Sequence, residues 1–144
     1  MMRHPTYQSK RRYRSRRRSA AALVELAICL PLLVFLVGAS VEACDLIFLR
    51  NSLTAATYAG TLEVSRQGCT EDSIRTQIDQ SLSACKVKDY TISITSTAGL
   101  PFILTGRGDL IRVQAVAVAG SNLRIGRFIP TSTSQIKVSA VALR

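Results

Sequence analysis

The feature that most constrains this chain is a block of basic residues followed directly by a long apolar run. Residues 1–19 contain eight Lys and Arg residues and no acidic residue. Residues 20–41 follow, and Glu25 is the only ionisable residue among them. A helix of this length measures about 33 Å, which is enough to cross a hydrocarbon core of about 30 Å. The pattern predicts one transmembrane helix with a carboxylate near its start.

The basic block also predicts how this helix is oriented. Lys and Arg residues beside a span stay on the cytoplasmic side, so we expect a cytoplasmic N-terminus and an extracytoplasmic C-terminal domain. The topogenic residues nearest the span are Arg11, Arg12, Arg14, Arg16, Arg17 and Arg18. Much of the net charge of +10 therefore belongs to an orienting tail. The expected partner is the lipid bilayer, and the sequence does not favour nucleic acid.

A cleavable signal peptide has a similar basic and apolar pattern. Residues 37–39 have the small side chains of a signal peptidase site, and residues 41–44 loosely resemble a lipoprotein cleavage box. However, the apolar part of a signal peptide usually has about 7–15 residues, fewer than this run. Helical spacing also continues beyond the run, at Leu46, Leu49, Leu53, Ala56 and Gly60. We therefore favour a retained anchor.

The sequence divides into four segments with an α+β fold class. They are a basic cytoplasmic tail (1–19), a transmembrane helix (20–43), an amphipathic helical stalk (44–66) and an extracytoplasmic helix plus antiparallel sheet (67–144). Pro31 is expected to kink the transmembrane helix, because proline removes a backbone hydrogen-bond donor. Glu42, Asp45 and Arg50 are expected to form a polar collar above the span.

Beyond Gly68, the pattern predicts a second helix and then strands. Thr70 is a suitable N-cap for a helix of about fourteen residues, and its apolar face carries Ile74, Ile78, Leu82 and Cys85. Three to four short antiparallel strands follow; the apolar stretches lie at 90–95, 102–104, 110–118 and 136–142. Residues 123–130 are apolar and basic, and we expect them to fold over the sheet rather than to lie at the membrane surface.

Residues that carry chemistry are scarce. The one histidine, His4, excludes a histidine-based triad or metal cluster, and no phosphate-binding glycine loop is present. Arg107-Gly108-Asp109 spells an adhesion tripeptide, for which chance occurrence in a turn is the better explanation. We predict no catalytic, cofactor-binding or metal site, and therefore not an enzyme.

Cys69 and Cys85 flank the second predicted helix. An intact helix of that length separates its ends by about 21 Å, whereas the Cα atoms of a disulfide lie within about 7 Å. Either the helix is broken, or these thiols are buried, free or used between chains. We favour the absence of an intrachain bridge.

Two stretches resemble the TadE-like proteins, minor pseudopilins of the tight-adherence (Tad) pilus secretion system and relatives of type IV pilins. The first combines Ala-Ala-Leu-Val-Glu-Leu-Ala at 21–27 with Leu-Pro-Leu-Leu at 30–33. The second is the alanine-rich stretch at 53–60. The resemblance implies a pilin-like fold, with a structural role in pilus assembly at the bacterial inner membrane. It also implies other pilus-assembly proteins or pseudopilins as partners.

The resemblance further implies roles for particular residues. A prepilin peptidase would cut between Ala20 and Ala21, which would make Glu25 the fifth residue of the mature chain. Glu25 would then be an intramembrane assembly carboxylate that pairs with the α-amino group of a neighbouring subunit. Ala20 stands where processed members usually have glycine, so an uncut, permanently inserted chain is the alternative. Glu25 would then extend toward the cytoplasmic headgroups.

Two functions remain open at this point. The first is a membrane-anchored TadE-like pseudopilin that is a structural component of Tad-type pilus assembly or secretion. The second is a stand-alone membrane-anchored exported domain that binds another envelope partner and is not part of a fibre. They differ in whether Glu25 is needed for assembly.

Overall fold

The computed structural model describes residues 9–123 and 134–144, with side chains from residue 20 onward. The elements are helix α1 (Ser9–Val64), helix α2 (Glu71–Ala84), strand β1 (Tyr90–Ser96), a 3-10 turn (Phe102–Leu104), strand β2 (Leu110–Val118), short helix α3 (Ala119–Asn122) and strand β3 (Gln135–Leu143). The described residues divide into two compact units, the first ending at Gly38 and the second beginning at Ala39. The predicted α+β class is confirmed, with a long apolar helix, a second helix and a three-stranded antiparallel sheet.

The first unit contains the N-terminal part of α1. Every side chain from Ala20 to Val37 is exposed. Pro31 lies inside the helix, and the kink expected there stays a prediction. The backbone of the predicted topogenic arginines lies within α1, whereas their side chains lie outside the described part of the chain.

The second unit begins with the C-terminal part of α1, which is amphipathic. Leu49, Leu53, Ala56, Gly60 and Val64 are buried at intervals of three or four residues, so one side of the helix faces a core. Most of this face was predicted from the spacing. The chain leaves α1 through Gly68, whose φ of 77° lies in the left-handed region that glycine adopts without strain.

Helix α2 begins where the sequence predicted it. The Thr70 side chain accepts a hydrogen bond from the Ser73 backbone N–H at 3.1 Å, and the Ser73 hydroxyl accepts one from the Thr70 N–H at 3.2 Å. This reciprocal pair is a capping box, which satisfies two otherwise free donors at the helix start. The predicted apolar positions Ile74, Ile78 and Leu82 are fully buried.

The sheet has strand order β1-β2-β3, with β2 in the centre and both pairings antiparallel. On β2, Ile111, Val113, Ala115 and Ala117 all point into the core and are fully buried. The side chains between them are exposed or half-buried. This alternation is the period of two on which the strand prediction depended, and it gives the sheet one buried face.

Helix α1 packs closely against α2 and β2 at Gly60. A Cβ atom at this position would lie 2.8 Å from Cδ1 and Cγ1 of Ile78 on α2 and 3.3 Å from Cγ1 of Val113 on β2. Since carbon atoms in contact are normally about 3.5–4.0 Å apart, the core has no room for a side chain here. Gly60 therefore sets the distance between α1, α2 and the sheet.

Three hydroxyl residues lie on the buried side of α1 beside the apolar ones. Thr57 is fully buried and donates to the Leu53 carbonyl at 2.9 Å. Ser52 donates to Phe48 and Thr61 to Tyr58, at 2.9 and 2.7 Å. Each hydroxyl thus uses a carbonyl of its own helix and needs no partner across the core.

Glu42, one residue of the predicted polar collar, is buried on the side of α1 that faces the core of the second unit. Its side chain is 1% exposed, because residue 42 is seven residues before Leu49 and therefore on the same face of α1. Both Glu42 and Asp45 are held by interactions, whereas Arg50 is exposed.

The apolar run at 102–104 forms a 3-10 turn rather than a fourth strand. Among the described residues, one isolated β-bridge lies beside this turn, between Thr95 and Pro101, and proline has no N–H with which to extend a ladder. The described residues therefore contain three strands. The expectation that residues 123–130 cover the sheet falls largely on residues 124–133, outside the described residues.

The contact at Gly60 predicts a steric effect of substitution. Gly60→Val should lower the free energy of unfolding by about 1–3 kcal/mol, a typical result of overpacking a core. Thermal unfolding of the full chain in non-ionic detergent, followed by circular dichroism, measures this. Ala55→Val introduces the same side chain at an exposed position of the same helix and should change stability by only a few tenths of a kcal/mol. Equal effects of the two substitutions would contradict the packing argument.

A second prediction concerns Tyr90, whose hydroxyl donates to Asp79 Oδ1 at 2.9 Å and joins β1 to α2. Burial, followed by the hydrogen bond and the charge of Asp79, raises the pKa of Tyr90 above its ordinary value of 10.0. The folded state therefore holds this proton more tightly than the unfolded state. Its contribution to stability is present below pH 10 and is lost as pH rises through the folded pKa.

Melting temperatures measured between pH 8 and 11 test this linkage. As pH rises over this range, we expect the wild-type chain to lose stability relative to Tyr90→Phe, which has no hydroxyl to titrate. Asp79→Asn, which removes the charge, should reduce the effect. A difference that does not depend on pH would show that the pair does not titrate as inferred.

Candidate functional site: the exposed apolar helix

An unbroken apolar surface covers the first unit of the molecule. Eleven large apolar side chains between residues 23 and 37 are at least half exposed. They are Leu23, Val24, Leu26, Ile28, Leu30, Leu32, Leu33, Val34, Phe35, Leu36 and Val37. These side chains surround the helix rather than forming one stripe, because they occupy nearly every position in sequence.

Such a surface is unfavourable in water. Burying one large aliphatic side chain is worth about 1.5–3 kcal/mol, so eleven unburied ones require an apolar environment. Within the described residues, one helix is long and apolar enough to cross a membrane, Ala20–Val64, and none of its most apolar stretch is buried. This distinguishes it from the core helix of a soluble protein, although a signal sequence has the same properties. The arrangement is consistent with a membrane-anchored protein.

Glu25 lies within this apolar surface and is itself exposed. On a helix its neighbours are the residues three and four positions away, and three of these four are small: Ala21, Ala22 and Cys29. Small neighbours leave the carboxylate open to a second helix at close range. A charged side chain is costly inside a bilayer, so in a membrane Glu25 would require either an ionic partner or a path to the headgroups.

The predicted processing site lies on the same stretch of helix. Ala20 and Ala21 are both exposed and helical, and Ala21 is four residues before Glu25. At 1.5 Å per residue, about 6 Å of helix separates the two positions. Three points stay predictions. They are cleavage at this site, the role of Glu25 in assembly, and the orientation of the helix by the basic residues.

The cysteines are distributed along both units. Cys29 and Cys44 are exposed, whereas Cys69 and Cys85 are half-buried, and all four are free thiols. Cys69 donates through Sγ to the Val64 carbonyl at 3.2 Å, and Cys85 caps the C-terminal end of α2. An intact α2 lies between them, which is the geometry on which the argument against an intrachain bridge depended. Among the described residues, no group of three or more His, Cys, Asp or Glu is placed to hold a metal ion.

One structurally important residue had no signal in the sequence. Arg144 follows β3, and its Nη1 donates to the Phe102 carbonyl at 3.0 Å and to the Thr105 hydroxyl at 2.7 Å. Its guanidinium also lies 4.2 Å from the centre of the Phe102 ring, a cation–π distance. Arg144 therefore fixes the 3-10 turn to the end of the sheet, a contact between residues about forty positions apart.

Together these features are those of a helix-plus-sheet protein with one exposed apolar helix. Residues 20–62 match the family model of TadE-like protein, which confirms the resemblance over that segment. The match covers a little under a third of the chain and lies entirely within α1. Comparisons with curated proteins and with solved structures gave no significant match.

Cysteine labelling tests whether residues 20–41 lie in lipid. Variants that retain one cysteine, with the others changed to serine, would be treated in intact membranes with a membrane-impermeant maleimide. We expect the Cys44-only chain to react and the Cys29-only chain to react only after denaturation in detergent. Both thiols are exposed, so lipid and not protein packing would cause the difference. Equal labelling of the two in membranes would contradict the assignment of the span.

Proposed function

We propose that this protein is a membrane-anchored TadE-like pseudopilin, a structural component of Tad-type pilus assembly and secretion. The proposal rests on one observation: the family match and the exposed apolar surface occupy the same part of the chain. The TadE-like match, residues 20–62, contains the whole exposed apolar surface and most of the helix that enters the core of the second unit. The residues that need lipid and those that attach the anchor to the folded domain thus lie within one family-like segment.

The proposed location is the bacterial inner membrane, with the N-terminus in the cytoplasm. Residues 1–19 form the cytoplasmic tail, 20–43 the span, 44–66 the stalk and 67–144 the extracytoplasmic domain. The positive tail supports this orientation, because basic residues beside a span stay on the cytoplasmic side. The partners are the bilayer, other pilus-assembly proteins or pseudopilins, and a prepilin peptidase. The role is structural and not enzymatic.

The proposed role of Glu25 depends on desolvation. A cut between Ala20 and Ala21 creates an α-amino group on the chain that begins at Ala21. In lipid, an unpaired carboxylate is costly, whereas a carboxylate paired with that amino group on a neighbouring subunit is stabilised. The small side chains of Ala22 and Cys29 would permit the approach. The pair would therefore fix the register between neighbouring helices.

Mass spectrometry of the protein from its native membrane tests processing. Intact mass and the N-terminal peptide should show a mature chain that begins at Ala21. An uncut chain would favour a permanently inserted scaffold over a fibre subunit. A start at Ser40 or Cys44 would identify the apolar run as a signal peptide and overturn the proposal.

Substitution of Glu25 tests assembly. Glu25→Ala and Glu25→Gln should still insert into the membrane, as judged by resistance to carbonate extraction, but should fail to enter the sheared fibre fraction. Glu71→Gln removes a carboxylate from the second unit and should assemble normally. Assembly of both Glu25 variants at the wild-type level would remove the main support for the proposal.

The alternative is a stand-alone anchored domain that binds another envelope partner. The second unit supports it, because residues 39–144 form a compact unit with their own apolar core. In that case, replacement of residues 20–41 by an unrelated apolar span should preserve function. A pseudopilin with the replaced span should instead lose assembly.

A further inference from the structure

A basic cleft lies at the end of α1 in the second unit. Its volume is ≈ 360 Å³, and three segments that are distant in sequence line it. These segments are the turn after α1, the loop between the 3-10 turn and β2, and the end of the chain after β3. They contribute Arg66, Cys69, Thr105, Arg107 and Arg144 to its lining. The fold therefore brings three arginines to one cavity, whose lining includes no acidic residue.

Arg144 is held firmly in the wall of this cleft. The hydrogen bonds that fix its side chain, to the Phe102 and Thr105 carbonyls and the Thr105 hydroxyl, all use Nη1. The ring of Phe102, itself buried, lies against the guanidinium. A guanidinium has five N–H donors in a rigid fork, so donors remain at Nε and Nη2. An arginine fixed in this way loses little further freedom when it binds an anion.

The acidic groups beside the cleft already have partners. Glu63 Oε2 lies 2.8 Å from Arg66 Nη1, with the arginine side chain 74% exposed. Asp109 Oδ2 accepts a hydrogen bond from the Gly106 N–H at 2.7 Å. Neither carboxylate is part of the cleft lining. Glu63 thus offsets the charge of Arg66, whereas Arg107 and Arg144 form no ion pair with another side chain among the described residues. Their guanidinium groups suit a ligand with the planar, bidentate geometry of a carboxylate.

Exposed apolar side chains adjoin one lining residue of the cleft in sequence. Ile103 and Leu104, which directly precede Thr105, are 84% and 66% exposed. They are the two outward members of a turn whose third residue, Phe102, is buried. The turn thus carries two exposed aliphatic residues within two positions of Thr105, and aliphatic groups combined with arginines occur where proteins bind other proteins.

We propose that this cleft binds an acidic segment of a protein partner, in which apolar side chains adjoin the carboxylates. The arginines would bind the carboxylates, and Ile103 and Leu104 would contact the apolar side chains. The rigid guanidinium fork matches a carboxylate, and the exposed aliphatic residues of the neighbouring turn add apolar surface, a combination typical of protein-binding sites. The inference does not depend on the proposed pilus function.

Fluorescence anisotropy with labelled peptides tests the site, using the full chain in non-ionic detergent. The probe is an acetylated pentapeptide of alternating Glu and Leu, and the comparison peptide has Ser in place of Leu. We expect the Leu peptide to bind more tightly than the Ser peptide, with affinity for both falling as salt increases. The double variant Arg66→Gln and Arg107→Gln should weaken binding of the Leu peptide at least tenfold.

Two controls distinguish peptide binding at the cleft from nonspecific attraction to the positive charge of the protein. Arg112→Gln makes the same change at an exposed position of β2 outside the cleft, and should alter affinity less than twofold. Replacing Ile103 and Leu104 by serine should remove the preference for the Leu peptide while leaving affinity for the Ser peptide unchanged. Arg144 is left intact because it holds the turn in place. Circular dichroism checks that each variant is folded.

Several results would overturn the proposal. An equal loss of affinity in Arg112→Gln would mean that charge alone attracts the peptide. Displacement by inorganic phosphate at the same concentration as the peptide would identify a simple oxyanion site. Preferential binding of the cleft to phosphatidylglycerol vesicles, lost in the Arg66 and Arg107 double variant, would assign the surface to a membrane instead. No binding of either peptide would exclude the acidic segment as the ligand.

Discussion

The contact of Gly60 with Ile78 and Val113 is the constraint on which the second unit depends. One helix must lie against both a second helix and a sheet, and at this position only a residue without a side chain fits between them. The buried face of α1 extends in both directions from that point, toward Leu53 and toward Val64. The same helix carries the exposed apolar surface. The residues that make this close contact and those of the exposed apolar surface therefore belong to one continuous helix.

Much of the architecture could be predicted because it depends on local regularities. The period of two on β2 identified its buried residues, and the Thr70 cap located the start of α2. The length and apolar character of residues 20–41 identified the candidate span. The Leu-Val-Glu arrangement around Glu25 indicated the TadE-like resemblance, and the family match covers that region. In each case neighbours in sequence determine the structure.

The remaining features depend on contacts between residues that are distant in sequence, or on burial that the hydrophobic pattern of the sequence does not reveal. Glu42 was predicted to belong to a polar collar, and its helical position places it on the buried face of α1. The apolar stretch that begins at Phe102 was predicted to be a strand. Pro101 limits strand pairing there, and Arg144, which is distant in sequence, holds the turn in place. The basic cleft had no sequence signal, because its arginines are far apart in the chain and meet only in the fold.

Pro31 has a consequence for the backbone of the span. Proline has no N–H, so the carbonyl four residues earlier, at Ala27, cannot accept its usual helical hydrogen bond. In lipid a free carbonyl acceptor is costly unless another group supplies a donor. A helical carbonyl is directed along the axis toward the C-terminus, so the Ala27 acceptor and the Glu25 carboxylate lie at different heights along the helix. In lipid, each of these two polar groups would need its own partner.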